Sequence, residues 1–165
     1  MKTHLKTHNV VAVYILAMVA ANLLVWWVGP WFSPINAFLL IGLDLTLRDV
    51  MHDRLTKLKM LSVVLAGGAI TWAVNPAAAT IAVASAAAFT VSAAADWLAY
   101  TMLRSRPWLV RSNGSNVVGA AVDSLIFPTL AFGGFLPHIV AMQFAAKVGG
   151  GAVWSFLLRR RMVSA

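Results

Sequence analysis

His138–Leu158 reads HIVAMQFAAKVGGGAVWSFLL, and within it a single residue, Lys147, carries a full charge. At about 1.5 Å of helical rise per residue the run spans roughly 30 Å, the hydrocarbon thickness of a bilayer. An ammonium in the middle of such a run costs several kcal/mol unless a carboxylate or a ligand answers it, so the lysine marks a candidate functional site. Three acids stand ready: Asp44, Asp96 and Asp123. Each lies inside, or just within the end of, another apolar run, and they are three of the five carboxylates in the chain. The stretch therefore points to a membrane-embedded helical bundle with a polar interior.

Composition agrees. Hydrophobic residues make up 61% of the 165 and charged residues 11%, with a mean hydropathy of +0.81; a soluble domain carries about 25% charge. The chain reads as one domain, residues 1–165, with no soluble module left over. It has no cysteine, which excludes disulfides, thiolate metal sites and cysteine nucleophiles. His4, His8, His52 and His138 lack metal-ligand spacing, and Ser124 has no base in an obvious partner motif. An enzyme is thus not expected, nor a catalytic residue, a metal or a cofactor. The net charge of +8 would suggest a nucleic-acid partner in a soluble protein. Here the basic residues sit between apolar spans, where they act as topology signals, and no nucleic acid is expected.

Six apolar spans can be laid end to end: Val10–Val28, Ile35–Leu47, Met60–Val74, Ala77–Leu103, Val117–Phe135 and His138–Leu158. The second and third are short, so they must borrow flanking polar residues or lie tilted among neighbours. The turns Gly29–Pro34, Asn75–Pro76 and Gly133–Pro137 carry no Lys or Arg. Lys2 and Lys6, then Arg54, Lys57 and Lys59, then Arg104, Arg106 and Arg111, then Arg159 to Arg161 occupy the alternate connections and both ends. Eleven of thirteen basic residues fall on one side, Arg48 and Lys147 being the exceptions. The positive-inside rule then predicts an all-α protein of the cell inner membrane with six transmembrane helices and both termini cytoplasmic. The first run continues to Trp26-Trp27 without a small-residue cleavage site, so it reads as a membrane helix rather than a secretory signal. Trp26, Trp27, Trp31 and Phe32 around Gly29-Pro30 form an interfacial belt. Alanine fills 11 of the 19 positions from Ala77 to Ala95, a composition suited to close helix packing.

Counting helical rise from the outer ends places Asp44 and Lys147 level, roughly 13 Å deep; Asp123 lies roughly 9 Å from the cytoplasmic start of its span, with Asp96 nearer that face. Arg48 follows Asp44 by four residues, so the two share a helix face and can pair. Buried ion pairs that merely pin helices in register are one reading. The surplus of acid over Lys147 and Arg48 favours the other, a substrate or ion pathway, in which Arg48 and Asp96 serve as ion-pair or gating residues. Asn36, Asn113, Ser115, Asn116, Ser124 and Gln143 add neutral hydrogen-bonding capacity near the same spans, which suits a small polar ligand. Gly149–Gly151 either permits close helix contact or weakens the helix beside the charge.

Pro34-Ile35-Asn36-Ala37-Phe38, leading into Asp44-Leu45-Thr46-Leu47-Arg48, resembles the second helix of the VUT family, the queuosine precursor transporters. Arg111-Ser112-Asn113-Gly114-Ser115-Asn116, followed by Gly119, Asp123-Ser124 and Phe127, is similar to that family's fifth-helix signature, and Lys147 falls where those transporters carry an intramembrane lysine. The resemblance covers nearly the whole chain in order. It implies a six-helix fold like the substrate-binding subunits of energy-coupling-factor transporters, and import of 7-cyano- or 7-aminomethyl-7-deazaguanine for tRNA modification. The chain departs from the family in its very short loops and in Arg48-Asp49 and His52-Asp53-Arg54 at a helix end. The substrate-binding residues expected from residues and resemblance together are Asp44, Asp123, Lys147, Asn36, Asn113, Asn116, Ser124, Phe127, Gln143 and Trp97. A guanine edge offers adjacent N–H donors that a carboxylate accepts, its carbonyl wants a donor such as lysine or an amide, and its flat ring wants aromatic walls, for which Phe38, Trp97 and Phe127 are candidates. A membrane subunit that binds a vitamin-like or purine-like ligand and needs an energising ATPase partner would share the fold. A pore-forming protein would need no buried lysine. The expected partners are a 7-deazapurine and the lipid bilayer, with a homo-oligomer possible.

Reporter fusions test the alternation of basic residues. Fusions after Met162 and within Arg104–Arg111 should report cytoplasm, and one near Pro76 the far side. A far-side signal at the C-terminal fusion would overturn the six-helix topology.

Overall fold

The computed structural model describes residues 6–162; Lys2 and His4 lie outside them. Among the described residues every regular element is helical, and six long helices follow one another: α1 (Thr7–Val28), α2 (Pro30–Arg54), α3 (Lys57–Val74), α4 (Pro76–Met102), α5 (Trp108–Ala131) and α6 (Pro137–Met162). Local chemistry sets their ends. Gly29, at φ +96°, ends α1 in a conformation that side chains resist, and Pro30 opens α2 where a missing N–H costs nothing. The Thr56 hydroxyl accepts from the Lys59 N–H at 3.4 Å to cap α3, and Asn75 Oδ1 accepts from the Ala77 N–H at 3.1 Å to start α4.

Helices α1 to α4 are long and apolar enough to cross a membrane. α5 and α6 have the length, at 24 and 26 residues, but carry polar side chains that lower their hydropathy. On α5 these face inward: Ser112, Ser115, Asn116, Asp123 and Ser124 are all buried, while Leu16, Leu65, Trp72, Val83 and Phe156 are exposed on other helices. Polar inside and apolar outside is the inverse of a soluble protein, as a lipid-facing bundle requires. Trp27 and Trp31, 80% and 69% exposed, flank the α1–α2 turn as the sequence predicts for an aromatic belt.

The second span is not short. α2 runs for 25 residues, and its continuation from Asp44 to Met51 is buried at every position, because the polar residues there turn into the bundle rather than end it. α2 is also irregular, with a 3₁₀ turn at Pro30–Phe32 and a π-helical segment at Ala37–Ile41 before regular helix resumes at Gly42. Opposite it, α6 is unbroken through Gly149–Gly151, so of the two readings of the triple glycine close contact is the one observed. A Cβ on Gly150 would overlap the Phe38 carbonyl, and one on Gly42 would come within 2.6 Å of the Gly150 carbonyl carbon. The alanines of α4 play a parallel role: Ala82, Ala84 and Ala88 are buried, and α4 packs most extensively on α5. Tyr14, Met18, Leu45, Met51, Val64 and Phe89 fill the main apolar core between these contacts.

Gly150→Ala should therefore destabilise the protein by about 1–3 kcal/mol, as overpacking does. Gly134, where an added Cβ meets nothing within 4 Å, is the control. Thermal unfolding in detergent should show a lowered Tm for Gly150→Ala and little change for Gly134→Ala.

Candidate functional site

Lys147 is the organising group. Its Nζ donates to Asp123 Oδ2 at 2.6 Å, to Gln143 Oε1 at 2.7 Å and to Ser124 Oγ at 3.2 Å, so all three ammonium protons have acceptors. Gln143 lies one turn before Lys147 on α6 and passes the contact on, its amide donating to Ser33 Oγ on α2. Of the three acids that the sequence offers to Lys147, the structure pairs it with Asp123; Asp44 pairs with Arg48 at 3.5 Å.

Beside this knot is a narrow cleft. Asn22 of α1, Ser33 and Asn36 of α2, Ser85 and Phe89 of α4, Asp123 and Phe127 of α5, and Gln143 and Lys147 of α6 line it. The space between its atoms is about 270 Å³, but the part open to a free molecule is room for roughly one water. Two acceptors on its lining residues lack partners, Asn36 Oδ1 and Asp123 Oδ1. Asn36 is held by its own amide, which donates to the Ala21 carbonyl at 3.1 Å, and Asn22 by donation to Thr71 Oγ1 at 3.2 Å. Buried acceptors without donors are uncommon, and a ligand or water that supplied donors would satisfy them.

A second polar layer adjoins the cleft. Arg48 donates to Ser92 Oγ at 3.0 Å as well as to Asp44, and its guanidinium stands 5.4 Å from the centre of the Phe89 ring, a cleft wall. Asp49 accepts from Ser112 and Ser115, Ser112 meets Ser155 at 3.1 Å, and Ser155 meets Thr46 at 3.2 Å. Among the described residues neither oxygen of Asp96 has a well-formed hydrogen bond, although the Ser115 hydroxyl stands beside it, and Asn116, beside Gly151, has none for its side chain.

Of the ten residues expected at a binding site, Asn36, Asp123, Phe127, Gln143 and Lys147 line the cleft, and Ser124 supports Lys147. Asp44 and Asn116 are buried in the second layer. Asn113 and Trp97 are elsewhere. Asn113 is half-buried and donates to the Leu109 carbonyl one turn back, a backbone acceptor within reach of a short amide inside a helix. Trp97 stacks on His52 at 6.0 Å, with Lys57 Nζ 3.4 Å from its ring centre, at the end of the bundle where α2 gives way to α3. Phe38, 38% exposed, packs against Gly149 on the outside, so the aromatic walls are Phe127 and the unforeseen Phe89. Sequence reasoning also passed over Asn22, Ser33, Ser85 and Asp49. For Asn22 a signal existed: it is the sole amide in the Val10–Val28 run. Among the described residues no group of three or more His, Cys, Asp or Glu is arranged to hold a metal.

The sequence model of the family described as Putative vitamin uptake transporter matches residues 4–158. No curated protein and no solved structure matches the chain.

Lys147→Met would leave Asp123 uncompensated, which should destabilise the protein by about 3–5 kcal/mol. Adding Asp123→Asn should recover part of that loss and adding Asp44→Asn should not, a difference readable in detergent melting curves. Equal recovery by both doubles would contradict the pairing.

Proposed function

The chain belongs to the vitamin uptake transporter family, and we propose that it is a self-sufficient importer of a 7-deazaguanine queuosine precursor. In this reading all six helices span the cell inner membrane and both termini are cytoplasmic. The observation that carries it is the pair of unpartnered acceptors, Asn36 Oδ1 and Asp123 Oδ1, on one cleft also lined by Phe89 and Phe127. A guanine edge presents adjacent N1–H and amino donors, which two such acceptors complement, and its carbonyl oxygen accepts from the second N–H of the Gln143 amide. The aromatic walls suit a flat ring. Because the cleft has open room for about one water, the bicyclic ring enters only as its walls part. The π-helical segment Ala37–Ile41, which directly follows Asn36, is the irregular element from which such a movement would start.

Asp123→Asn keeps the size of the side chain but turns one acceptor into a donor facing the ligand's donors. Loss of one charge-assisted hydrogen bond is worth about 1.5–3 kcal/mol, roughly ten- to hundredfold in affinity. In cells unable to make the precursor, restoration of queuosine in tRNA should fall by that order for Asp123→Asn and also fall for Asn36→Ala, at unchanged membrane insertion. Adenine-like analogues, with an acceptor at N1, should compete poorly against guanine-like ones. Full restoration by inserted Asp123→Asn and Asn36→Ala would refute the site. Uptake that appears only when an ATPase is co-expressed would assign the chain to the partner-dependent class instead.

A further inference from the structure

Two of the buried carboxylates outside the cleft make no ion pair within 4 Å among the described residues. Asp49 on α2 accepts from the Ser112 and Ser115 hydroxyls of α5, and Asp96 on α4 is buried beside Ser115 with no well-formed hydrogen bond among the described residues. Both are at most 1% exposed, and both meet one face of α5 a turn apart: Ser115 donates to Asp49, and a Cβ on Gly119 would stand 3.1 Å from the Asp96 Cβ. Among the described residues four buried aspartates, Asp44, Asp49, Asp96 and Asp123, share the bundle with two buried cations, Arg48 and Lys147. Lys147 is matched by Asp123 and Arg48 by Asp44, so Asp49 and Asp96 are the surplus. Arg48 also acts on Asp49 and Asp96, but one guanidinium among three buried carboxylates leaves negative charge in excess in a low-dielectric interior, a state that a proton shared by the two acids relieves.

We propose that Asp49 and Asp96 form a proton-carrying pair that energises uptake: the pair takes up one proton from the outer side and releases it to the cytoplasm for each substrate molecule carried. The inference rests on the importer reading above. A route out is present on the same helices. Tyr100, one turn beyond Asp96, is buried and donates to Asp53 Oδ2 at 2.9 Å, and Asp53, 44% exposed at its side chain, faces Arg111 at 3.7 Å. A link to the cleft is present too. Arg48, next to Asp49 in sequence, holds Ser92 one turn before Asp96 and lies over Phe89 on the cleft wall. A change in the charge of the pair therefore acts on a guanidinium that supports the substrate wall. The other charged or titratable groups facing the pair are Arg48 on α2 and Tyr100 on α4, with Ser112 and Ser115 of α5 donating to Asp49 and Ser155 of α6 closing the hydroxyl chain to Ser112.

The test is reconstitution of the full chain into proteoliposomes with labelled 7-cyano-7-deazaguanine, which is uncharged. Exchange of labelled for unlabelled substrate needs no driving force, whereas net accumulation does. One proton per substrate lets an inward gradient of one pH unit support up to about tenfold accumulation. The parent should show both activities; Asp96→Asn should keep exchange and lose gradient-driven accumulation. Exchange with no response to a pH gradient, accumulation driven by sodium instead, or undiminished accumulation by Asp96→Asn would each overturn the proposal. Absence of exchange in the parent would refute the importer reading rather than the pair. The pair is then judged by infrared spectroscopy: the parent at neutral pH should show a protonated-carboxyl carbonyl band that Asp49→Asn/Asp96→Asn removes, and absence of that band refutes the shared proton.

Discussion

The structure depends on one ammonium having three acceptors where the bilayer offers none. Lys147 ties α6 to α5 through Asp123 and Ser124, and Gln143, which it holds, ties α6 to α2 through Ser33. A buried ion pair of this kind contributes little net stability, because stripping water from both charges offsets most of their attraction. Its consequence is positional. With Asp123 Oδ2 committed to the lysine, Oδ1 is left on the cleft without a donor, and the site's chemistry follows from that remainder.

The same logic divides α2 into two parts. From Gly42 onward it is clamped: the glycine lies against Gly150 and Gly151, and the Thr46 hydroxyl lies 3.3 Å from the Gly151 carbonyl and meets Ser155. Before Gly42 it is a π-helical segment whose backbone pattern is already interrupted, and Asn36 sits at its start. Motion of the cleft wall without loss of the clamp requires a boundary of this kind, because packed helix faces resist gradual deformation.

Much of this was legible in the sequence because charge in an apolar run has few explanations. Lys147, Asp123 and the Asp44–Arg48 pairing at four-residue spacing all appear where the pattern puts them. Asp49 was not legible: next to Arg48 and close to His52-Asp53-Arg54 it looks like the polar end of a helix, and burial by neighbouring helices is a tertiary fact. Trp97 and Asn113 lie away from the cleft for the complementary reason. Their types suit a binding site, but helical phase turned one toward His52 and the other onto its own backbone. Ser33 and Ser85 are small, common and silent until the packing shows what they line.

On α5, Ser112, Asn116, Gly119 and Asp123 recur at intervals of three or four residues, so they occupy one face of one rigid helix. The lower part of that face holds Asp49, the middle packs a glycine 3.1 Å from Asp96 at its would-be Cβ, and the upper part holds Lys147. α2 repeats the arrangement, with Asn36 at the cleft and Asp49 at the paired acids. On α2 and α5 alike, the residue at the cleft and the residue at the buried acids thus lie about three to four turns apart on one helix. Any shift of α5 against α2 that widens the cleft also alters the hydroxyl contacts to Asp49, which is the geometric condition for one site to sense the other.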